Sequence, residues 1–145
     1  MTTEPSELIE QYLHSRGLRY FRGRHDGAYF FILTVGHERF HVHLEILPGK
    51  SDVLLVRIAP GHYFPAAERD RMIGFARSWN AESRCAEVIV YESSDPSRIG
   101  LAAESSCPLV HVDADDFANF ADEAIRCAIE LFAELTVAPQ LRDAG

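Results

Sequence analysis

The sequence predicts an α+β domain with a single antiparallel sheet, its elements in the order α-β-β-β-α-β-β-α. Three observations carry this. The hydrophobic period changes twice, from helical to alternating and back again. Three strand-like runs are joined by turns too short for a crossover helix, which makes them a meander. The last apolar stretch runs at helical spacing for more than twenty residues behind an acidic start, Asp113 to Leu135.

The first helix, Ser6 to Arg16, places Leu8, Ile9, Tyr12 and Leu13 on one stripe. Thr3 or Ser6 can cap its start, and Gly17 suits the left-handed residue beyond its end. A strand follows over Ala28 to Val35. It is apolar on both faces: Tyr29, Phe31, Leu33 and Val35 alternate with Phe30 and Ile32, so a central place or cover on both sides is expected. After Gly36-His37 the next strand, Glu38 to Leu47, alternates cleanly. Phe40, Val42, Leu44 and Ile46 face one way, and Arg39, His41, His43 and Glu45 the other. Pro48-Gly49-Lys50-Ser51 reads as a turn, and Asp52 to Ala59 as the third strand. Pro65 fits the first turn of a helix in which Met72, Phe75, Ala76 and Trp79 share a stripe. Strands over Cys85 to Glu92 and Arg98 to Glu104 flank a turn at Asp95-Pro96. Asp113 caps the final helix, Pro139 is expected to end it, and the core spans about residues 4 to 137, with 138–145 a tail.

The 145 residues suit one domain, and 47% hydrophobic composition is too apolar for disorder. No run reaches the roughly 18 to 20 apolar residues of a membrane span, and the acidic start has no signal-peptide pattern. The formal charge is −8, all of it arising beyond residue 60. An acidic domain repels a phosphate backbone, so nucleic acid is not an expected partner, nor is a membrane. The one basic cluster, Arg16, Arg19, Arg22 and Arg24, lacks a recognition helix or stacking platform. Cys85, Cys107 and Cys127 show no metal spacing and suggest a reduced, cytoplasmic protein. A hairpin centred near Asp95-Pro96 would bring Cys85 opposite Cys107, where a disulfide is conceivable; packed thiols are the preferred reading.

The run Phe75-Ala76-Arg77-Ser78-Trp79-Asn80 closing a helix resembles the Asn-x-Trp-Asn signature of bacterial YbjN-like domains, with Arg77 where the fuller pattern has Asn. The strand hairpin, acidic turn and helix of the type Phe117, Phe120, Leu131-Phe132 and Leu135 that follow are also similar to the family. The resemblance covers nearly the whole chain. It implies a fold like that of type III secretion chaperones, a role as a sensory transduction regulator, and no catalytic residues. Trp79 and Asn80 then serve the fold: Trp79 in the core with its indole bonded locally, Asn80 as a helix C-cap or a bond to a nearby turn.

Two constellations could carry chemistry. His41 and His43 leave one face of a strand about 7 Å apart, with His37 just before it, and could share a zinc or nickel ion given a third ligand from His62 or an acid. Surface histidines on the polar side of an amphipathic strand are the simpler reading. His111 and Asp113 near Cys107 suggest a catalytic pair, but no nucleophile elbow or oxyanion site accompanies them. Asp113, Asp115 and Asp116 lack the glycine and distal glutamate of a calcium loop, and helix capping accounts for them.

These readings converge on a non-enzymatic, cofactor-free interaction module, chaperone-like or regulatory, that binds a protein segment through apolar surface. The partner is a protein of unknown identity, with a homodimer as one arrangement. Phe30 and Ile32 on the doubly apolar strand, and Phe120, Leu131 and Phe132 on the wide last helix, are the expected contacts. The alternative is a metal-binding protein or metal-dependent enzyme using the histidine cluster.

Overall fold

A computed structural model describes residues 5–25, 27–47, 52–82 and 85–143. Helix α1 (Pro5–Ser15) is followed by a two-residue strand β1 (Phe21–Arg22), then by β2 (Ala28–Val35), β3 (Glu38–Leu47) and β4 (Val53–Pro60). A second two-residue strand, β5 (Phe64–Pro65), leads through a 3-10 turn into α2 (Arg69–Ala81). Strands β6 (Glu87–Glu92) and β7 (Arg98–Pro108) precede α3 (Ala114–Asp143). The predicted α-β-β-β-α-β-β-α order is present, with β1 and β5 added to it. Every strand pair is antiparallel, in the order β1-β2-β3-β4-β7-β5, and β6 lies along the other side of β7. Thr3 and the Pro48–Ser51 turn lie outside the described residues.

One face of the sheet is the core. Phe31, Val42, Leu44, Leu54, Val56, Ile58, Ile99 and Leu101 are buried together with the apolar faces of all three helices in one cluster. Among the described residues that core holds no buried polar or charged side chain. In α1 the buried residues are Leu8, Ile9, Tyr12 and Leu13, the predicted stripe. Gly17 takes a positive φ of 64° just past the helix, as its place required. The Tyr12 hydroxyl donates to Asp122 Oδ1 at 2.6 Å, and Arg16 pairs with the same carboxylate at 2.7 Å, which ties α1 to α3. The Arg16 guanidinium, then opposed by burial, holds the Asp122 carboxyl below its ordinary range, helped by the Tyr12 hydroxyl. Arg22 likewise pairs with Glu10 at 2.9 Å, so two members of the basic cluster already face acids.

Asp113 behaves as predicted. Its Oδ1 accepts the Asp116 amide at 2.8 Å and its carbonyl accepts the Phe117 amide, which opens α3. The helix corrects two expectations. It runs through Asp143, past Pro139, which removes one N–H donor without ending the helical backbone. Leu131 is fully buried and Phe132 is 5% exposed, its ring stacked on Phe40 at 5.7 Å, so both are core residues and not partner contacts. A wide apolar face is needed because α3 packs on α1, β4 and β7 at once.

The cysteines correct a third. Cys85 is bonded to buried Cys127 of α3, with 6.1 Å between Cα atoms, and Cys107 is the free thiol. Strand β6 begins only at Glu87, so Cys85 lies outside the hairpin ladder, while Cys107 pairs with Leu54 of β4. The bond removes the cysteine argument for a reducing compartment. No helix among the described residues is long and apolar enough to cross a membrane.

Trp79 and Asn80 close α2 onto the free edge of β6. The buried indole N–H donates to the Ala86 carbonyl at 2.9 Å. The Asn80 side chain accepts the Val88 amide at 2.8 Å and donates to the Val88 carbonyl at 3.0 Å. One side-chain amide thus stands in for a neighbouring strand and satisfies both backbone groups of an edge residue. The expectation of a helix C-cap or a bond to a nearby turn is replaced by this strand clamp, and Glu82 ends the helix.

Candidate functional site

Among the described residues the second face of the sheet carries no helix, since all three helices pack into the core on the first. Its register sets Phe21, Phe30, His43, Arg57, Glu104 and Glu87 in one row across β1, β2, β3, β4, β7 and β6. Cross-strand neighbours on one face lie close enough for rings to touch. Phe21 stacks on Phe30 at 4.9 Å between ring centroids, and Phe30 stacks on His43 at 5.7 Å. Ile32, beside this ladder and paired with His41, is 48% exposed, and Phe21 is 52% exposed. Strand β1 covers only Tyr29 and Phe30, so the rest of the outer edge of β2 has no strand partner among the described residues. Half-buried Phe30 and exposed Ile32 therefore lie on one open face, which corrects the expectation that this strand is central or covered on both sides. Phe120 is half-buried against the core on the opposite side.

Beyond His43 the row enters a cleft of about 410 Å³, lined by His41, His43, Arg57, His62, Tyr63 and Tyr91, with Glu45, Leu55 and Ala59 beside them. A detour in the backbone makes it. Ile58 pairs with Ala103 and Phe64 with Ile99, so six steps along β4 and β5 match four along β7. Through the detour the chain stays on β3, with Ala59 opposite His41 and the Gly61 amide bonded to the Arg39 carbonyl at 2.8 Å. It parts from β7 there, and His62 and Tyr63 stand at the opening, as at a β-bulge.

The other wall is built by a glycine. Tyr91 pairs with Gly100, and a Cβ on Gly100 would fall 2.2 Å from the Tyr91 ring. Only glycine lets that ring lie flat across the strand. The Arg57 guanidinium sits 4.8 Å above the Tyr91 centroid, and Tyr63 meets Tyr91 edge-on at 6.4 Å. Burial raises the Tyr91 hydroxyl pKa, with Tyr63 adding to it and Arg57 opposing. Burial, followed by the charges of Arg57 and His41, lowers His43, which favours its neutral form.

The histidines are brought together only in part. His41, His43 and His62 line one cleft, while His37 lies in the turn after β2 and is not among its walls. Among the described residues no three His, Cys, Asp or Glu side chains are grouped so as to hold a metal ion, which removes the expected ligand set. Arg57, Tyr63 and Tyr91 belong to no motif in the sequence, and Phe21, which reads there as one of several aromatics that are mostly core, is exposed. Arg57 stands between Val56 and Ile58 in an apolar strand, the one signal that was present.

A family profile described as "Putative bacterial sensory transduction regulator", YbjN, matches residues 5–136. The chain belongs to the YbjN family. Among solved structures it is similar to YbjN of E. coli, described as a "putative transcription regulator", with a TM-score of 0.70 and 15% identity over 92% of each chain. It is also similar to an uncharacterized protein from Methanothermobacter thermautotrophicus, with a TM-score of 0.57 and 11% identity over 93% of this chain and 99% of that one. No curated protein matches in sequence. These likenesses establish the fold.

Proposed function

We propose that this chain is a non-catalytic regulatory module that holds a protein partner, in a chaperone-like manner, on the helix-free face of its sheet. The observation that carries the reading is the patch of exposed Phe21 and Ile32 around half-buried Phe30, beside a strand edge with no partner beyond Phe30 among the described residues. An extended segment can pair with the β2 edge while its side chains meet the aromatic ladder, so main-chain bonds give affinity and the patch gives selectivity. Membership of a family described as sensory transduction regulators favours the same reading. The description of the E. coli relative as a transcription regulator is compatible with action through a protein partner, since this acidic chain offers no basic reading surface.

Partner capture from native cells, with Ile32→Asp and Arg126→Glu as matched variants, tests it. Ile32→Asp should abolish a stoichiometric capture while the circular dichroism spectrum is unchanged, and Arg126→Glu on the exposed side of α3 should retain it. Capture that survives Ile32→Asp would overturn the reading.

A further inference from the structure

The cleft has a chemistry that docking on the ladder leaves unused. Arg57 is held flat by the Tyr91 ring, yet its nearest carboxylate, Glu104, lies 3.7 Å away, beyond hydrogen-bonding distance. This ion pair is too long for a hydrogen bond, so Arg57, which also meets the Tyr91 hydroxyl, has no hydrogen-bonded carboxylate among the described residues. Around it stand three imidazoles, two tyrosine rings and the apolar walls of Leu55, Ala59 and Pro60. The volume, about 410 Å³, lies in the range that small ligands occupy.

We propose that this cleft binds an aromatic monocarboxylate, with the carboxylate on Arg57 and the ring against Tyr63 and Tyr91. A planar guanidinium matches a carboxylate edge to edge, and its pre-set orientation lowers the cost of binding. Flat walls suit a ring over a flexible chain. Charge decides the rest. Arg57 can meet one carboxylate, while Glu45 in the cleft and Glu104 beside Arg57 oppose any further negative charge, such as that of phosphate or a polyanion. A cationic ligand would meet Arg57 itself. The inference goes beyond partner docking and does not depend on it.

The test is a nuclear magnetic resonance titration of the full chain with benzoate, benzamide and inorganic phosphate. Benzoate should shift the His43 and Tyr91 ring signals saturably. Benzamide and the Arg57→Gln variant should bind at least about tenfold more weakly, the loss expected of a charged hydrogen bond. Tyr91→Ala, which keeps the cation and removes its platform, should also weaken binding, and phosphate should produce no saturable shift. No saturation with benzoate, equal binding by folded Arg57→Gln, or a preference for phosphate would overturn the proposal. A peptide ending in phenylalanine, as free acid and as amide, separates the sources: competition by the acid alone assigns a protein C-terminus, and its failure against bound benzoate assigns a free aromatic acid. Lost capture by Ile32→Asp with intact benzoate binding, or the reverse, tells this inference apart from the partner reading.

Discussion

The two faces of the sheet are built from the same strands and differ in what they ask of each residue. On the helix side Phe31, Val42, Leu44, Val56 and Leu101 are at most 1% exposed, and an apolar side chain of the right volume suffices. On the other side the alternate positions hold Phe30, Ile32, His41, His43, Arg57 and Tyr91, a mixture that packing does not call for. Where burial ends, the sequence turns to rings, imidazoles and one held cation. Such a surface is costly to leave exposed, and a contact or a ligand would account for its persistence.

The sharpest way to break that contrast is a charge on each face. Leu131→Asp puts a carboxylate where no water reaches and should unfold the chain, while Leu131→Ala should cost about 2–5 kcal/mol. Ile32→Asp should leave urea stability within about 0.5 kcal/mol of wild type. Equal losses from the two aspartates would mean that the ladder is core.

The disulfide fastens only the helix side. Cys127→Ser should lower stability by about 3–4 kcal/mol for a loop of sequence separation 42, read as a shifted urea midpoint with a nearly unchanged spectrum. A reducing agent should reproduce the shift in wild type and leave Cys107→Ser as sensitive as wild type. Asn80→Ala should come next, at about 1–3 kcal/mol, because it strands the amide and carbonyl of Val88 at an edge. Hydrogen exchange at Val88 should rise while that of Val42 stays protected.

Much of the helix face was legible in the sequence because its signal is periodic. Tyr12 and Leu13 of α1, Val42 and Leu44 of β3, and the Asp113 cap each follow from spacing alone. Leu131 and Phe132 show where that stops: a helix apolar all round reads alike whether it meets three neighbours or a partner. Cys85 with Cys127 needed the three-dimensional path of the chain, since the ladder of β6 begins two residues too late for Cys107. The open face was less legible for the same reason. Ile32 and Phe30 were visible as excess apolar residues, but Tyr91 over Gly100 and Arg57 over Tyr91 depend on register and on a two-residue detour. The Trp79-Asn80 pair was visible as a motif, and its use as an artificial strand edge was not.

The smallest effect should come from acid. The Asp122 carboxyl titrates below its ordinary value of 3.8 in the folded chain because Arg16 and Tyr12 hold it ionised. Its stabilising contribution is complete above that value and is lost as pH falls through the lower folded value. Asp122→Asn should therefore lose that contribution at pH 7, a loss of about 1 kcal/mol or less for a half-exposed pair, and its stability should converge on that of wild type as pH falls below the folded value.

Photo-crosslinking in the native cell shows whether the helix-free face is the binding face. A photoreactive amino acid placed at position 32 should give one discrete protein adduct, and the same group at position 126 on α3 should give none. Adducts from position 126 with none from position 32 would show that the helix-free face is not the binding face.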